Sequence, residues 1–309
     1  MEIDFIQPAQ RFAREHVYPN LRVLETDRAP ICEIERRFDE LGVVEILRSG
    51  LWDNPLLSAG DILSLIEAVA NADAATAFFL LRSVPRVLFE HVFRSTVEAD
   101  LFVPYDNCPF SVLGGTPRTA CVVRRTDKTL KVATCAVHDV ETTRYLGLSG
   151  IDFLASFCEG ENRPMAELPL DAYRPYLATI SMVFQNMYLG LLRATIRYAT
   201  EYCRDRTAFG KPVVQFQAIS QKLANMMLAY ESSRVYVRDI SCREHQISSM
   251  ALLSADLLQK NGPMISLDAI QALGGHGFVQ SHPLEKWMRD GQVLAMFLSD
   301  ISRQLRSVR

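Results

Sequence analysis

From Leu177 to its last residue the chain keeps an apolar period of three to four, interrupted only at short joints rich in Gly and Pro. Long amphipathic segments with brief connections leave little choice but an up-and-down helix bundle. The spacing predicts helices over about Ala178–Cys203, Val213–Glu244, Ser248–Asn261 and Met264–Leu273, and a last one from about Gly291. Gly274-Gly275 supplies a left-handed stop. Asn261-Gly262-Pro263 reads as a joint, with proline in the first turn of the helix that follows.

The first hundred residues carry the same period. Phe12, Val17, Leu21 and Leu24 mark one helical stretch, and Ile34, Phe38, Leu41 and Val44 a second beyond the Asp27–Pro30 turn. Another is expected from Ala59 or Gly60, with a Ser58–Asp61 entry, to about Phe79, and a shorter one over Val84–Phe93. Between Cys108 and Glu167 the pattern changes. Ala120–Arg125, Thr129–Thr134 and Asp152–Phe157 are short β-branched and aromatic runs set off by turn residues, which predicts a small antiparallel β unit. Three prolines in Pro164–Pro175 read as a linker. The expected organisation is an N-terminal helical domain over 1–105, a reduced β domain over 106–170 and a C-terminal four-helix bundle over 171–309.

Composition excludes several classes. In 309 residues, 33 Lys and Arg stand against 36 Asp and Glu, a net charge of −3, so no basic field points to nucleic acid or to an anionic membrane. No apolar run reaches membrane-spanning length, no basic leader opens the chain, and a cytoplasmic location is expected. The seven cysteines form no Cys-x-x-Cys pair and the six histidines no ligand pattern, so no metal site is expected.

Two segments are specific in combination. Arg206-Thr-Ala-Phe-Gly-Lys-Pro212 with Phe216-Gln217, and Gln271-Ala-Leu-Gly-Gly275 with Pro283-Leu-Glu-Lys-Trp-Met-Arg-Asp290, resemble the flavin-binding half of the acyl-CoA dehydrogenase family. Weaker likenesses in Phe12–Pro19, Glu40-Leu-Gly42 and Leu65–Asp73 extend the resemblance towards the amino terminus. It implies FAD as cofactor and an acyl thioester, on CoA or a carrier protein, as substrate. The reaction would be α,β-dehydrogenation, with hydride passing to flavin N5 and an electron-acceptor flavoprotein downstream. It further implies a dimer or tetramer, because in the family these residues reach FAD held mostly by a neighbouring protomer.

Under that resemblance Arg206 would clamp the FAD diphosphate with its guanidinium fork, and Phe209 would pack beside the flavin or ribityl chain. Gln217 would face the adenine, while Gln271, Gly274 and Gly275 would let backbone approach the dinucleotide closely. Each also has a plainer reading: a solvated helix-end arginine, a core phenylalanine, polar helix residues, a glycine helix stop.

The sequence departs from the family where chemistry is concentrated. The glutamate that removes the α-proton follows the Arg-Asp motif by several residues; here Phe297 stands on its aromatic neighbour and Leu298 on the glutamate itself. The alternative base position, on the first bundle helix, is Ile180. Asp300 is the nearest remaining carboxylate and the candidate displaced base, although Ser299-Asp300 also reads as a helix N-cap. Phe110–Pro117 does not match the family's flavin-lining Thr/Ser segment. Three functions stay open: an oxidoreductase with a non-standard or missing base, a non-catalytic subunit that completes the FAD site of an active paralogue in a hetero-oligomer, and an enzyme of the same fold doing flavin chemistry without α-proton removal or non-redox thioester chemistry, which no residue selects.

Overall fold

The computed structural model describes residues 6–27, 29–40, 59–113, 116–240 and 247–308. Leu41–Gly42, Val44, the Ser58 entry, Gly114-Gly115, Cys242, His245 and the expected helix end at Glu244 lie outside the described residues.

Helices α1 (Ile6–Phe12), α2 (Ala29–Glu40), α3 (Ala59–Ala70), α4 (Ala74–Leu80) and α5 (Val84–Phe93) lead, with π and 3-10 turns carrying α1 on to Glu25. The helix expected to run from Ala59 to Phe79 is two. Asp73 leaves helical geometry and accepts from the Thr76 N–H at 2.8 Å, so a capping side chain restarts the chain as α4.

Four strands follow: β1 (Leu101–Val103), β2 (Thr119–Arg125), β3 (Thr129–Thr143) and β4 (Phe153–Pro169), in spatial order 1-2-3-4. The sheet is not wholly antiparallel, because β1 pairs parallel to β2. The expected Pro164 linker is also corrected. Pro164 and Pro169 sit in β4 opposite Ala133 and Thr129, and β4 is an edge strand, where a missing N–H breaks no inner ladder.

The remainder is the bundle: α6 (Tyr173–Asp205), α7 (Gln217–Ile240), α8 (Ile247–Leu273) and α9 (Leu284–Ser307). A tight hairpin, β5 (Thr207–Ala208) with β6 (Lys211–Pro212), joins α6 to α7. Asn261-Gly262-Pro263 does not divide α8. A Cβ at Gly262 would fall 2.1 Å from the Tyr188 hydroxyl, so the helix lacks a side chain where α6 inserts that ring. Asn261 donates to Ala229 O at 3.2 Å and Ser233 Oγ at 3.0 Å on α7. Packing from both sides thus overrides the local breaker signal.

Helix α9 begins at Leu284, two turns before the expected Gly291. Lys286 and Asp290, one turn apart, are wholly buried; Lys286 Nζ lies 2.7 Å from Asp290 and 2.6 Å from Asp73. Asp290 also accepts from the Leu148 N–H at 2.6 Å. This triad ties the N-terminal helices, the loop before β4 and α9 into one core. Burial opposes charge on Lys286, yet Asp290 and Asp73 hold its ammonium above the ordinary lysine range. Burial opposes charge on Asp73 too, but Lys286 and Thr76 keep it below the usual carboxylate range, whereas burial leaves Asp290 raised.

Candidate functional site

At one end of the bundle the chain brings together most of the residues singled out in sequence. Arg206 ends α6: its N–H donates to Tyr202 O at 2.9 Å and its carbonyl accepts from the Val213 N–H at 2.8 Å. These two bonds fix the helix exit, and the guanidinium is exposed with no ion pair among the described residues. The hairpin turn beyond it puts Phe209 and Gly210 at φ +52° and +79° and leaves Phe209 97% exposed. A core role for Phe209 is therefore excluded. Its ring lies 6.3 Å from that of Phe216, over which Lys211 sits at 4.4 Å. Gln217 is the exposed first residue of α7.

The end of α8 packs on the same region. Cys203 Sγ contacts Ala272 O at 3.8 Å, and the Tyr202 hydroxyl meets His276 Nδ1 at 2.6 Å. Lys222 Nζ, held by Asp268 at 2.6 Å, donates to Gln271 Oε1 at 2.9 Å. An ammonium only donates, so this bond fixes the Gln271 amide and leaves Nε2 as its outward-available donor.

Gly274 has φ +62°, the left-handed stop the sequence reading expects. Gly275 is more informative. It lacks a positive φ, and a Cβ built there meets nothing within 4 Å, so no contact inside this chain requires glycine. Exposed backbone without a Cβ beside a guanidinium and amide donors is chemically suited to a diphosphate approaching from outside the chain.

Sequence reasoning missed the groups that brace this end. His276 and His282 stack with ring centroids 5.4 Å apart, and the Tyr198 hydroxyl meets His282 Nδ1 at 2.7 Å. Burial, with His276 beside it, holds His282 below the usual histidine range. The position of His276 inside Gly274–Gly277 was the available signal; its stacking on His282 was not legible.

The presumed reaction centre looks different. Leu298 has no exposed surface, nor has its neighbour Phe297. The Phe297 ring packs against Phe78, Tyr145 and Phe153 at 5.6 Å, Phe184 at 5.8 Å and Phe110 at 5.9 Å. Ile180 borders a small void of about 10 Å³ with Phe78, Phe110 and Phe184. Aromatic side chains thus crowd the surroundings of Phe297, beside the position where a base would act, and position 298 offers no proton acceptor.

Asp300 lies inside α9, not at a helix start, so the N-cap reading is corrected by the earlier start of that helix. It accepts from the Tyr105 hydroxyl at 2.7 Å and pairs with Arg303. Burial pushes the Tyr105 phenol far up, with Cys108 and Asp300 adding to it, so Tyr105 stays a donor. Burial raises the Cys108 thiol to about 12, which leaves it protonated and inert. Among the described residues no His, Cys, Asp and Glu cluster suits a metal, and no helix is long and apolar enough to cross a membrane.

Comparison with known proteins agrees with this picture. The sequence profile described as "Acyl-CoA dehydrogenase, C-terminal domain" matches residues 182–298, ending on Leu298. The short-chain-specific acyl-CoA dehydrogenase of Megasphaera elsdenii is 28% identical over 142 residues, 45% of this chain and 35% of that protein. The chain thus aligns with about a third of the length of the curated relatives it matches.

In fold the likeness is wider. The butyryl-CoA dehydrogenase structure from M. elsdenii superposes with a TM-score of 0.75 at 17% identity, covering 98% of this chain and 96% of that one. The FAD complex of PigA gives 0.75 at 15% identity, over 99% and 97%. Residues 182–298 thus match an acyl-CoA dehydrogenase C-terminal domain, and helical unit, small sheet and bundle together have the fold of the solved acyl-CoA dehydrogenases.

Proposed function

We propose that the chain is the non-catalytic half of a flavin-dependent acyl-thioester dehydrogenase. It lends phosphate- and adenine-facing groups to FAD held by a neighbouring subunit that retains the base. One observation carries this reading: the sealed interior around Leu298 lies in the same chain as the open, donor-rich bundle end at Arg206 and Gly275. FAD, when bound, supplies the hydride acceptor. This chain's part is to bind and orient: Arg206 neutralises diphosphate charge, Gln271 donates from an amide held by Lys222, and Gly274-Gly275 present backbone at close range.

Exposed apolar side chains support oligomerisation. Phe209, Leu228, Val235, Leu253, Leu267 and Phe278 are each at least half exposed, on the hairpin, α7, α8 and the turn after α8. Apolar exposure on this scale marks an association surface. The substrate of the assembly is an acyl thioester, on CoA or a carrier protein, and reduced flavin would pass electrons to a flavoprotein acceptor. The competing reading, a self-sufficient oxidoreductase with Asp300 as base, draws support from that carboxylate facing the interior. Its engagement by Tyr105 and Arg303 counts against it.

The test is flavin stoichiometry. The chain purified alone is expected to be colourless; co-expressed with a paralogue that keeps the glutamate, it should form a yellow assembly with one FAD per pair of unlike chains. A yellow homo-oligomer that oxidises an acyl-CoA by itself would overturn the proposal.

A further inference from the structure

A second feature runs along α6 from Arg193 to Arg204, next to the bundle end that carries Arg206. Between α1 with its π turn, α3, α6 and α7 runs an open groove of about 1140 Å³. Five guanidiniums line it, from Arg11, Arg14, Arg193, Arg197 and Arg204, with no lysine and three carboxylates, Glu15, Glu201 and Glu231. The whole chain is acidic, at −3, so this concentration of arginine is local. On α6 the arginines fall four and then seven residues apart, one turn and two, which aligns them along one face over roughly 16 Å.

Arg22, Arg82 and Arg289, by contrast, each hold partly buried carboxylates. Arg11, Arg14, Arg197 and Arg204 make no ion pair among the described residues, although Glu15 and Glu201 line the same groove. The fold thus leaves four guanidiniums solvated in one concavity that Glu15 and Glu201 share, a net positive wall that favours an anionic partner.

We infer that this groove seats an acidic segment of a partner polypeptide. Three observations favour a polypeptide over a small phosphorylated ligand. Glu15 and Glu201 stand among the guanidiniums and would oppose a dense dianion, whereas carboxylates spaced along a chain can meet the arginines and avoid them. Tyr18, Tyr230 and Met227 also lie in the wall, and arginine, tyrosine and methionine are enriched at protein interface centres while lysine, absent here, is depleted. Met227 is 47% exposed and the next residue, Leu228, 71%, so the groove runs on to the apolar surface of α7. Its length suits about five extended residues. The inference is independent of the flavin reading, since none of these side chains is among the proposed FAD contacts.

The test uses the full chain and a fluorescein-labelled, glutamate-rich dodecapeptide, read by anisotropy. Saturable binding is expected that weakens roughly tenfold or more as salt screens the contact. The double variant Arg11→Gln/Arg197→Gln should weaken it at least tenfold with unchanged circular dichroism, while Arg36→Gln on α2 should not. Binding equally weakened by Arg36→Gln would overturn the inference as mere surface charge. So would absence of peptide binding, or tight binding of inorganic pyrophosphate that Arg11→Gln/Arg197→Gln abolishes and Arg206→Ala does not, which would mark a small-anion site in the groove. Should the double variant unfold, Arg204→Gln alone gives the same readout.

Discussion

The Tyr105 hydroxyl donates to Oδ2 of Asp300 at 2.7 Å, across the junction between the sheet and the last helix. If this bond is the purpose of Asp300, the two residues behave as a structural pair. Asp300→Ala leaves a buried phenol without an acceptor and is expected to cost about 1–3 kcal/mol. Asp300→Asn keeps an acceptor and should cost less than about 1 kcal/mol. Urea denaturation separates the two, and flavin content and turnover of the assembled enzyme should be unchanged in both.

Arg206→Ala is expected to weaken FAD retention in the assembly at least tenfold, about 1.4 kcal/mol, through loss of a charge-assisted diphosphate contact. Since the side chain is exposed, the melting temperature of the apoprotein should not move. Unaltered cofactor content after dialysis would remove Arg206 from the site.

Leu298→Glu restores the residue type expected of a base but does not restore a site. The position has no exposed surface, so the carboxyl would be desolvated and its pKa raised in the folded state. A raised folded pKa makes the deficit grow with pH. The variant is expected to lie closest to the parent near pH 4 and to fall several kcal/mol below it by pH 8 in chemical denaturation, without gaining dehydrogenase activity.

Lys286→Met strands Asp73 and Asp290 without their cation and should cost about 3–5 kcal/mol. In the parent, the depressed Asp73 contributes stability present above the ordinary carboxylate pKa, about 4, and lost as pH falls through its folded value. The raised Lys286 contributes stability present below about 10.4 and lost as pH rises beyond that. The raised Asp290 works against Asp73 at the acid edge, so melting curves from pH 8 to 12 carry the test: they should show the alkaline edge, and the variant should lose it.

His282, held below the usual histidine range, resists protonation in the folded state. The sign follows: stability is lost as pH falls through the unfolded histidine value near 6.5. Amide exchange across 274–283 is expected to quicken between pH 7 and 5.5, and His282→Gln should flatten that response.

The helical period of 177–309 and the β-rich middle carried most of the architecture, because amphipathic spacing is a local property. Local breaker rules failed where distant packing decided: Pro263 stays in α8 because Tyr188 and α7 grip its neighbours, and Pro164 stays in β4 because that strand is an edge. The glycine and arginine motif could be read because its parts are close in sequence. Phe78, Phe110, Phe153, Phe184 and Phe297 come from every part of the chain, and only the fold shows that together they close the interior. The arginine groove is illegible for the same reason, as α1 and α6, which both contribute to it, are far apart in the sequence.

The contact between Lys286 and Asp73 spans 213 positions. Asp73 takes its place in the core only with its counter-ion, and that ion is added much later in synthesis. The helices around Asp73 therefore have to wait, solvated and unsealed, until α9 leaves the ribosome; a chain cut short before residue 286 would be prone to aggregation and quality-control removal rather than a smaller working domain.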